Sequence, residues 1–305
     1  MTMQIIDRGN GPALIVVPGV QGRWEYVEPA IAALAERFRV ITFALAGERA
    51  SGLPFDEARG LDNYVDQISA VMRERGLERA AICGISFGGL AALRFAAAAP
   101  DRTSALVLVS TPGPPWQLKR RHEVYLRWPW IFMPLFLAET PLRLRREMKA
   151  ALPSLRDRAA FGVGQAAKLA TAPISVSRLA QRARLLRSLD VERDCEKVLA
   201  PTLVITGDRA LDRIVPVSGT ERYAQLIDGA RQIAIGRTGH LGCNTRPQEF
   251  ARIIHEFVLD VAADPRVRPS LNAARSGPTH GSTPTERGGA TQGRPLREGS
   301  PNAAA

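Results

Sequence analysis

Short apolar runs and amphipathic stretches alternate along the first third of the chain. Met3 to Ile6 and Ala13 to Val17 read as strands joined by the turn Gly9-Asn10-Gly11-Pro12. A helix starts near Glu28, with Pro29 in its first turn and Ile31, Leu34, Ala35 and Phe38 on one face. Arg39 to Leu45 is the next strand. Asp62 to Arg75 is a helix carrying Tyr64, Ile68, Val71 and Met72, with Gly76 at its end. A strand over Arg79 to Ile85, an alanine-rich helix over Ser86 to Ala99 and a strand over Ala105 to Val109 follow. Strand and helix in alternation predict an α/β fold with a mostly parallel, doubly wound sheet.

Pro112 interrupts the alternation. From there to about Leu199 the pattern holds helical fragments and repeated prolines but no clear strand. Pro201 to Thr206 then reads as a strand, and Ser218-x-x-Glu221 as a capping box opening a helix that stops near Gly229. Arg231 to Ile235 is a strand, and Thr245-x-x-Gln248 caps a final helix with Phe250, Ile253, Ile254 and Phe257 on one face. Residues 265–305 turn to Arg, Gly, Pro, Ser, Thr and Ala without periodicity and read as a disordered tail. The expected organisation is a core of residues 1–111 and 201–264, an inserted helical segment at 112–200, and the tail.

Charge sharpens this division. The net charge is +11, and residues 112–200 alone hold 17 Lys/Arg against 8 Asp/Glu. The basicity belongs to the inserted segment and the tail. It is read as an arginine-rich solvated surface; no nucleic-acid module is recognisable and nucleic acid is not expected as a partner. The three cysteines (Cys83, Cys195, Cys243) form neither a disulfide pattern nor a metal motif and fit a reducing compartment. The amino terminus lacks a signal-peptide pattern, and no apolar run reaches the ~20 residues that span a bilayer. The expected location is cytoplasmic.

Candidate chemistry centres on Gly84-Ile85-Ser86-Phe87-Gly88, between the apolar strand and the alanine-rich helix. Gly-x-Ser-x-Gly alone is common; a strand on one side and a helix on the other give it meaning, because such a turn exposes the serine above a sheet. Glycines two residues either side let strand and helix pass closely. An acid, Asp212, follows one later strand, and His240, flanked by Gly239 and Gly242, follows the next. The other histidines lie in the inserted segment (His122), the last helix (His255) and the tail (His280). Asp208 competes with Asp212 for the role of the acid.

With these elements the chain resembles the α/β-hydrolase superfamily, in the form with a helical cap after the sixth strand of the usual scheme. The resemblance spans about Ile5 to Leu259. It rests on Leu14 to Gly19, Gly84 to Gly89, Pro201 to Gly207, Asp212-Arg-Ile-Val-Pro216 and Thr238-Gly-His-Leu-Gly242. It implies Ser86 as nucleophile, Asp212 as acid, His240 as base, and the N–H groups of Val20 and Phe87 as the oxyanion hole. Two departures stand out. Pro18-Gly19 replaces the His-Gly of many relatives, whose histidine supports the oxyanion loop. Ala44-Leu-Ala-Gly-Glu-Arg-Ala-Ser51 lacks the aspartate and second glycine of a common motif.

The resemblance implies a cofactor-free, metal-free serine hydrolase acting on a small or medium apolar ester, lactone or related carbonyl compound. The alternatives are carbon–carbon hydrolysis of diketone-like substrates, or a non-catalytic protein of this fold that binds a ligand or partner. Within the cap, Trp116, Trp128, Trp130 and Phe132 form an aromatic cluster with Met133 and Phe136. One reading makes them the roof of an apolar substrate pocket; a second lays the basic cap on an anionic membrane surface; a third is plain packing.

Overall fold

The computed structural model describes residues 3–114, 120–187 and 189–264, without the side chains of residues 121, 122, 133, 134, 136 and 137. These residues fall in one unit, Met1–Pro265. The expected disorder of residues 265–305 concerns positions outside the described residues, as does Trp116.

Among the described residues, seven strands form one sheet: β1 Ile5–Arg8, β2 Ala13–Val17, β3 Arg39–Phe43, β4 Ala80–Ile85, β5 Thr103–Val109, β6 Thr202–Thr206 and β7 Arg231–Ala234. Their order is β1-β3-β2-β4-β5-β6-β7. β1 pairs antiparallel with β3, and every later pairing is parallel. The mostly parallel sheet predicted from the alternation is present. Its central strands are apolar at successive positions because both faces are covered: β4 is buried at every residue.

The first half of the chain supplies helices α1 Glu28–Ala35, α2 Asp62–Glu74 and α3 Phe87–Ala98. Ile15, Val17, Ile41, Phe43, Ile82 and Leu108 pack with α2 and α3 in one cluster, each buried side chain contributing ~1.5–3 kcal/mol against exposure. Gly76, with φ 65°, closes α2, and Leu77 N–H reaches back to the Met72 carbonyl at 2.8 Å, a left-handed cap that glycine adopts without a Cβ clash.

Among the described residues, five helices separate β5 from β6: α4 Arg120–Arg127, α5 Pro129–Ala151, α6 Leu155–Thr171, α7 Val176–Leu185 and α8 Val191–Cys195. Polar contacts tie this insertion to the elements flanking the sheet. The Tyr26 hydroxyl donates to the Ala172 carbonyl at 2.9 Å, and Arg94 pairs with Asp194 of α8 at 2.8 Å. No helix among the described residues is long and apolar enough to cross a membrane.

Beyond β6 come α9 Val217–Glu221, α10 Tyr223–Leu226, α11 Gly242–Thr245 and α12 Pro247–Ala263. Here two expectations are corrected. The predicted helix from Ser218 to Gly229 is two short ones, because Arg222 bonds back to the Gly219 carbonyl in a tight i→i−3 turn. Ser218 lies inside α9, whose amino-terminal neighbour is Pro216. Thr245 does not cap α12 either. Its hydroxyl is engaged with the Leu241 carbonyl and the Thr238 hydroxyl, and Arg246 precedes the helix.

Candidate active site

Ser86 stands between the carboxyl end of β4 and the first residue of α3, with φ 53° and ψ −122°. A positive φ at a residue bearing a Cβ costs on the order of 1–3 kcal/mol and persists only where packing imposes it. Two glycines allow that packing. A Cβ on Gly84 would lie 2.4 Å from the Gly88 carbonyl oxygen, and one on Gly88 would lie 2.3 Å from that of Val17. Ser86 N–H donates to the Val109 carbonyl at 2.8 Å, extending the β4–β5 pairing through the turn. Phe87 opens α3, so its N–H is among the first-turn donors without an intrahelical acceptor.

The β2 end forms the facing wall. Gly22 N–H bonds to the Gly19 carbonyl at 2.8 Å, closing a turn that contains Val20. Pro18 precedes this turn, and a side chain of the insertion holds it. The Arg182 guanidinium of α7, 1% exposed, donates to the Val20 carbonyl at 3.2 Å, to Glu48 Oε1 at 2.7 Å and to the Tyr64 hydroxyl at 3.3 Å. Glu48 sits in the second departing stretch. The buried Arg182–Glu48 ion pair thus crosses from the insertion to the loop after β3.

The acid and the base follow β6 and β7. His240 Nδ1 lies 3.3 Å from Asp212 Oδ2. Asp212 Oδ1 accepts from Ile214 N–H and Val215 N–H, each at 2.9 Å, so both carboxylate oxygens are engaged. Burial alone would raise the Asp212 carboxyl; the His240 charge and hydrogen bond and the two backbone donors bring it below its ordinary value. Burial alone would lower the His240 imidazole; the Asp212 carboxylate, with a further contribution from Glu147, holds it above its ordinary value. Asp208 is exposed, accepts from Ala210 N–H at 2.8 Å, and bonds through its own N–H to the Thr238 carbonyl. It shapes the loop and does not touch the imidazole. Gly207 and Gly239 bring the two loops together: a Cβ on Gly239 would lie 2.7 Å from Asp212 N.

Ser86, Val20 and His240 line a common cavity of about 680 Å³. Its upper walls come from the insertion, with Leu144 and Met148 of α5 and Phe161 and Leu169 of α6. The predicted aromatic lining is corrected. Trp128 and Trp130 are 54% and 71% exposed, and Phe132 stacks on Tyr125 with ring centroids 5.2 Å apart. None of the three lines the cavity. The reason is helical position: Thr140, Pro141, Leu144 and Met148 form the inward stripe of α5, turns beyond the aromatic start.

Sequence reasoning missed Glu48, Glu147 and Arg182. The replaced histidine at position 18 and the altered stretch around Glu48 were the available signals; Glu147 and Arg182 read as members of a charged helical surface.

Comparison with known proteins agrees with this geometry. The family model described as alpha/beta hydrolase family matches residues 14–253. The chain is 28% identical over 262 residues to the pimeloyl-[acyl-carrier protein] methyl ester esterase of Nitrosomonas europaea, covering 82% of this chain and 96% of that protein. It is 28% identical over 274 residues to the 2-hydroxymuconate semialdehyde hydrolase of a Pseudomonas species, covering 84% and 90%. Among solved structures, the enol-lactonase from Burkholderia xenovorans superposes with a TM-score of 0.66 at 20% identity, over 84% of this chain and 96% of that one. Sheet order, elbow and family match converge, and the chain belongs to the alpha/beta hydrolase family.

Proposed function

We propose that the protein is a cofactor-free serine hydrolase that cleaves a small or medium apolar ester, lactone or related carbonyl compound through an acyl-enzyme on Ser86. One observation carries the reading. The strained Ser86 and the Asp212-paired His240 open onto the same largely apolar cavity. In this reading the imidazole takes the Ser86 proton as Oγ attacks the carbonyl carbon, then gives it to the leaving oxygen. Asp212 holds the tautomer with Nδ1 protonated and stabilises the imidazolium. The N–H groups of Val20 and Phe87 receive the oxyanion; losing one such donor typically costs on the order of 10²-fold or more in turnover. Water, activated by the same imidazole, releases the acid and frees Ser86. The helical insertion serves as a cap that shapes the acyl site.

Similarity to a methyl ester esterase supports the ester reading. Similarity to the semialdehyde hydrolase favours a second, carbon–carbon cleavage of a diketone-like substrate. The buried cysteines are consistent with the proposed cytoplasmic location.

A fluorophosphonate probe and a panel of p-nitrophenyl esters of graded acyl length test the proposal. Wild type should label and turn over; Ser86→Ala should do neither while keeping its melting temperature. A folded wild type that neither labels nor hydrolyses any ester or diketone would leave a binding protein instead.

A further inference from the structure

Glu147 is a buried acid that the proposed mechanism leaves unused. It lies on α5 of the insertion and is 0% exposed. Its Oε1 accepts from Gly239 N–H at 2.8 Å, from Leu241 N–H at 2.6 Å and from the Thr238 hydroxyl at 3.1 Å. Two of these donors are the residues immediately either side of His240. Its Oε2 is buried with no hydrogen-bond partner among the described residues. Burying a carboxylate is costly unless it is well bonded. Three donors converging on one oxygen offset that cost, and all three belong to the loop that carries His240.

We propose that Glu147 is a positioning residue for His240: from the cap side, one carboxylate oxygen clamps the loop on both flanks of the imidazole and so couples the seating of α5 to the histidine's orientation. The inference rests on the hydrolase reading above. Asp212 fixes the ring through Nδ1, while Glu147 fixes the backbone from which the ring projects. A nucleophile–base pair is sensitive to such placement, because a displacement of ~1 Å can cost about 10²-fold in rate. A cap that shifted on α5 would carry the histidine loop with it.

Acidic, thiol and basic groups surround His240 or line its cavity. Asp212 lies on the acid loop and Glu147 on α5. Cys243 of α11 is a buried thiol whose pKa burial pushes up to about 12, so it is uncharged at neutral pH. Arg143, Arg145 and Lys149 of α5 and Arg158 of α6 line the shared cavity. Burial shifts the Glu147 carboxyl upward, partly opposed by the Leu241 and Gly239 donors and by His240. Its negative charge in turn favours the imidazolium.

Two variants test the proposal. Glu147→Ala removes the clamp; Glu147→Gln keeps an acceptor oxygen and removes the charge. With the best p-nitrophenyl ester, folded Glu147→Ala should lose about 10- to 100-fold in kcat with KM changed by less than about threefold. Glu147→Gln should recover most of that kcat. A folded Ala variant with wild-type kcat, or with its loss confined to KM, overturns the proposal, as does a Gln variant as impaired as Ala. Where the Ala variant does not fold, Glu147→Met, which fills the space without an acceptor oxygen, takes its place. Amide hydrogen exchange at Gly239 and Leu241 should be at least tenfold faster in Glu147→Met than in Glu147→Gln, and equal exchange in the two overturns the proposal. That measurement needs no turnover, so it separates failure of this inference from failure of the hydrolase reading.

Discussion

Asp208 and Asp212 stand four positions apart and meet different partners. Asp212 reaches the His240 ring and is 8% exposed, whereas Asp208 holds the turn that precedes it. Asp212→Asn should therefore cut kcat/KM by several orders of magnitude, by analogy with the ~10⁴-fold loss for a serine protease left with the wrong histidine tautomer. Asp208→Asn should cost less than about tenfold, since an amide oxygen can still accept from Ala210 N–H. Steady-state kinetics of the two purified variants compare them, and a dead Asp208 variant beside an active Asp212 variant reverses the assignment. The pH dependence follows from the same pair. His240 must be neutral to accept a proton, and its pKa is held above the ordinary 6.5. The acid limb of kcat/KM should thus have its midpoint above 6.5, and a midpoint below that value contradicts the proposed base. For stability the signs oppose at the two ends. The raised imidazole contributes fully below 6.5, and that contribution is lost as pH rises through its folded value. The lowered carboxyl contributes above its ordinary 3.8, and that contribution is lost as pH falls through its folded value.

At the level of elements, α5 shows how one helix divides its work. Its first turns carry exposed Trp130 and Ile131, while Leu144 and Met148, four residues apart and on one face, meet the cavity. Glu147 lies beside that face and reaches the histidine loop. Leu144→Trp should exclude longer acyl chains, raising KM for octanoate esters by about tenfold while sparing acetate esters; loss of one well-filled contact in a pocket is worth ~1–3 kcal/mol. Trp130→Ser should leave the acyl-length profile unchanged. Kinetics on the graded ester panel read both, and a profile that shifts with Trp130 would return the aromatic cluster to the pocket. The aromatic residues attracted attention as a sequence cluster. A helix, however, presents only one stripe inward, and which stripe is inward depends on how α5 docks, not on where its largest residues fall.

At the scale of the whole molecule, the single unit Met1–Pro265 holds the sheet, the insertion and the site. Residues 265–305 are polar and rich in Gly and Pro, and such composition buries too little apolar surface to stabilise a core. A chain ending at residue 264 should keep its melting temperature to within about 2 °C and its ester turnover to within about twofold; a drop of several degrees, which corresponds to roughly 1–2 kcal/mol, would contradict this. The strand–helix alternation, the mostly parallel sheet and the Ser86 turn were legible along the chain, as were the positions of Ser86, Asp212 and His240 on which the proposed chemistry rests. Each depends on local periodicity, or on glycines within a few residues of the serine that only one backbone path satisfies. The helix starts near Ser218 and Thr245 were misread for local reasons: Arg222 bonds back to the Gly219 carbonyl and splits the first helix, and the Thr245 hydroxyl turns back to Leu241 and Thr238. The aromatic cluster, the Arg182–Glu48 pair and the Glu147 clamp were beyond sequence reading for a further reason. Glu48 and Arg182 are 134 residues apart, and Glu147 and Leu241 are 94 apart. In the sequence, Glu147 and Arg182 are charges on helices that read as solvated. Only the docking of the insertion onto the sheet removes them from water, and desolvation leaves each charge stable only where a partner or a row of backbone donors meets it.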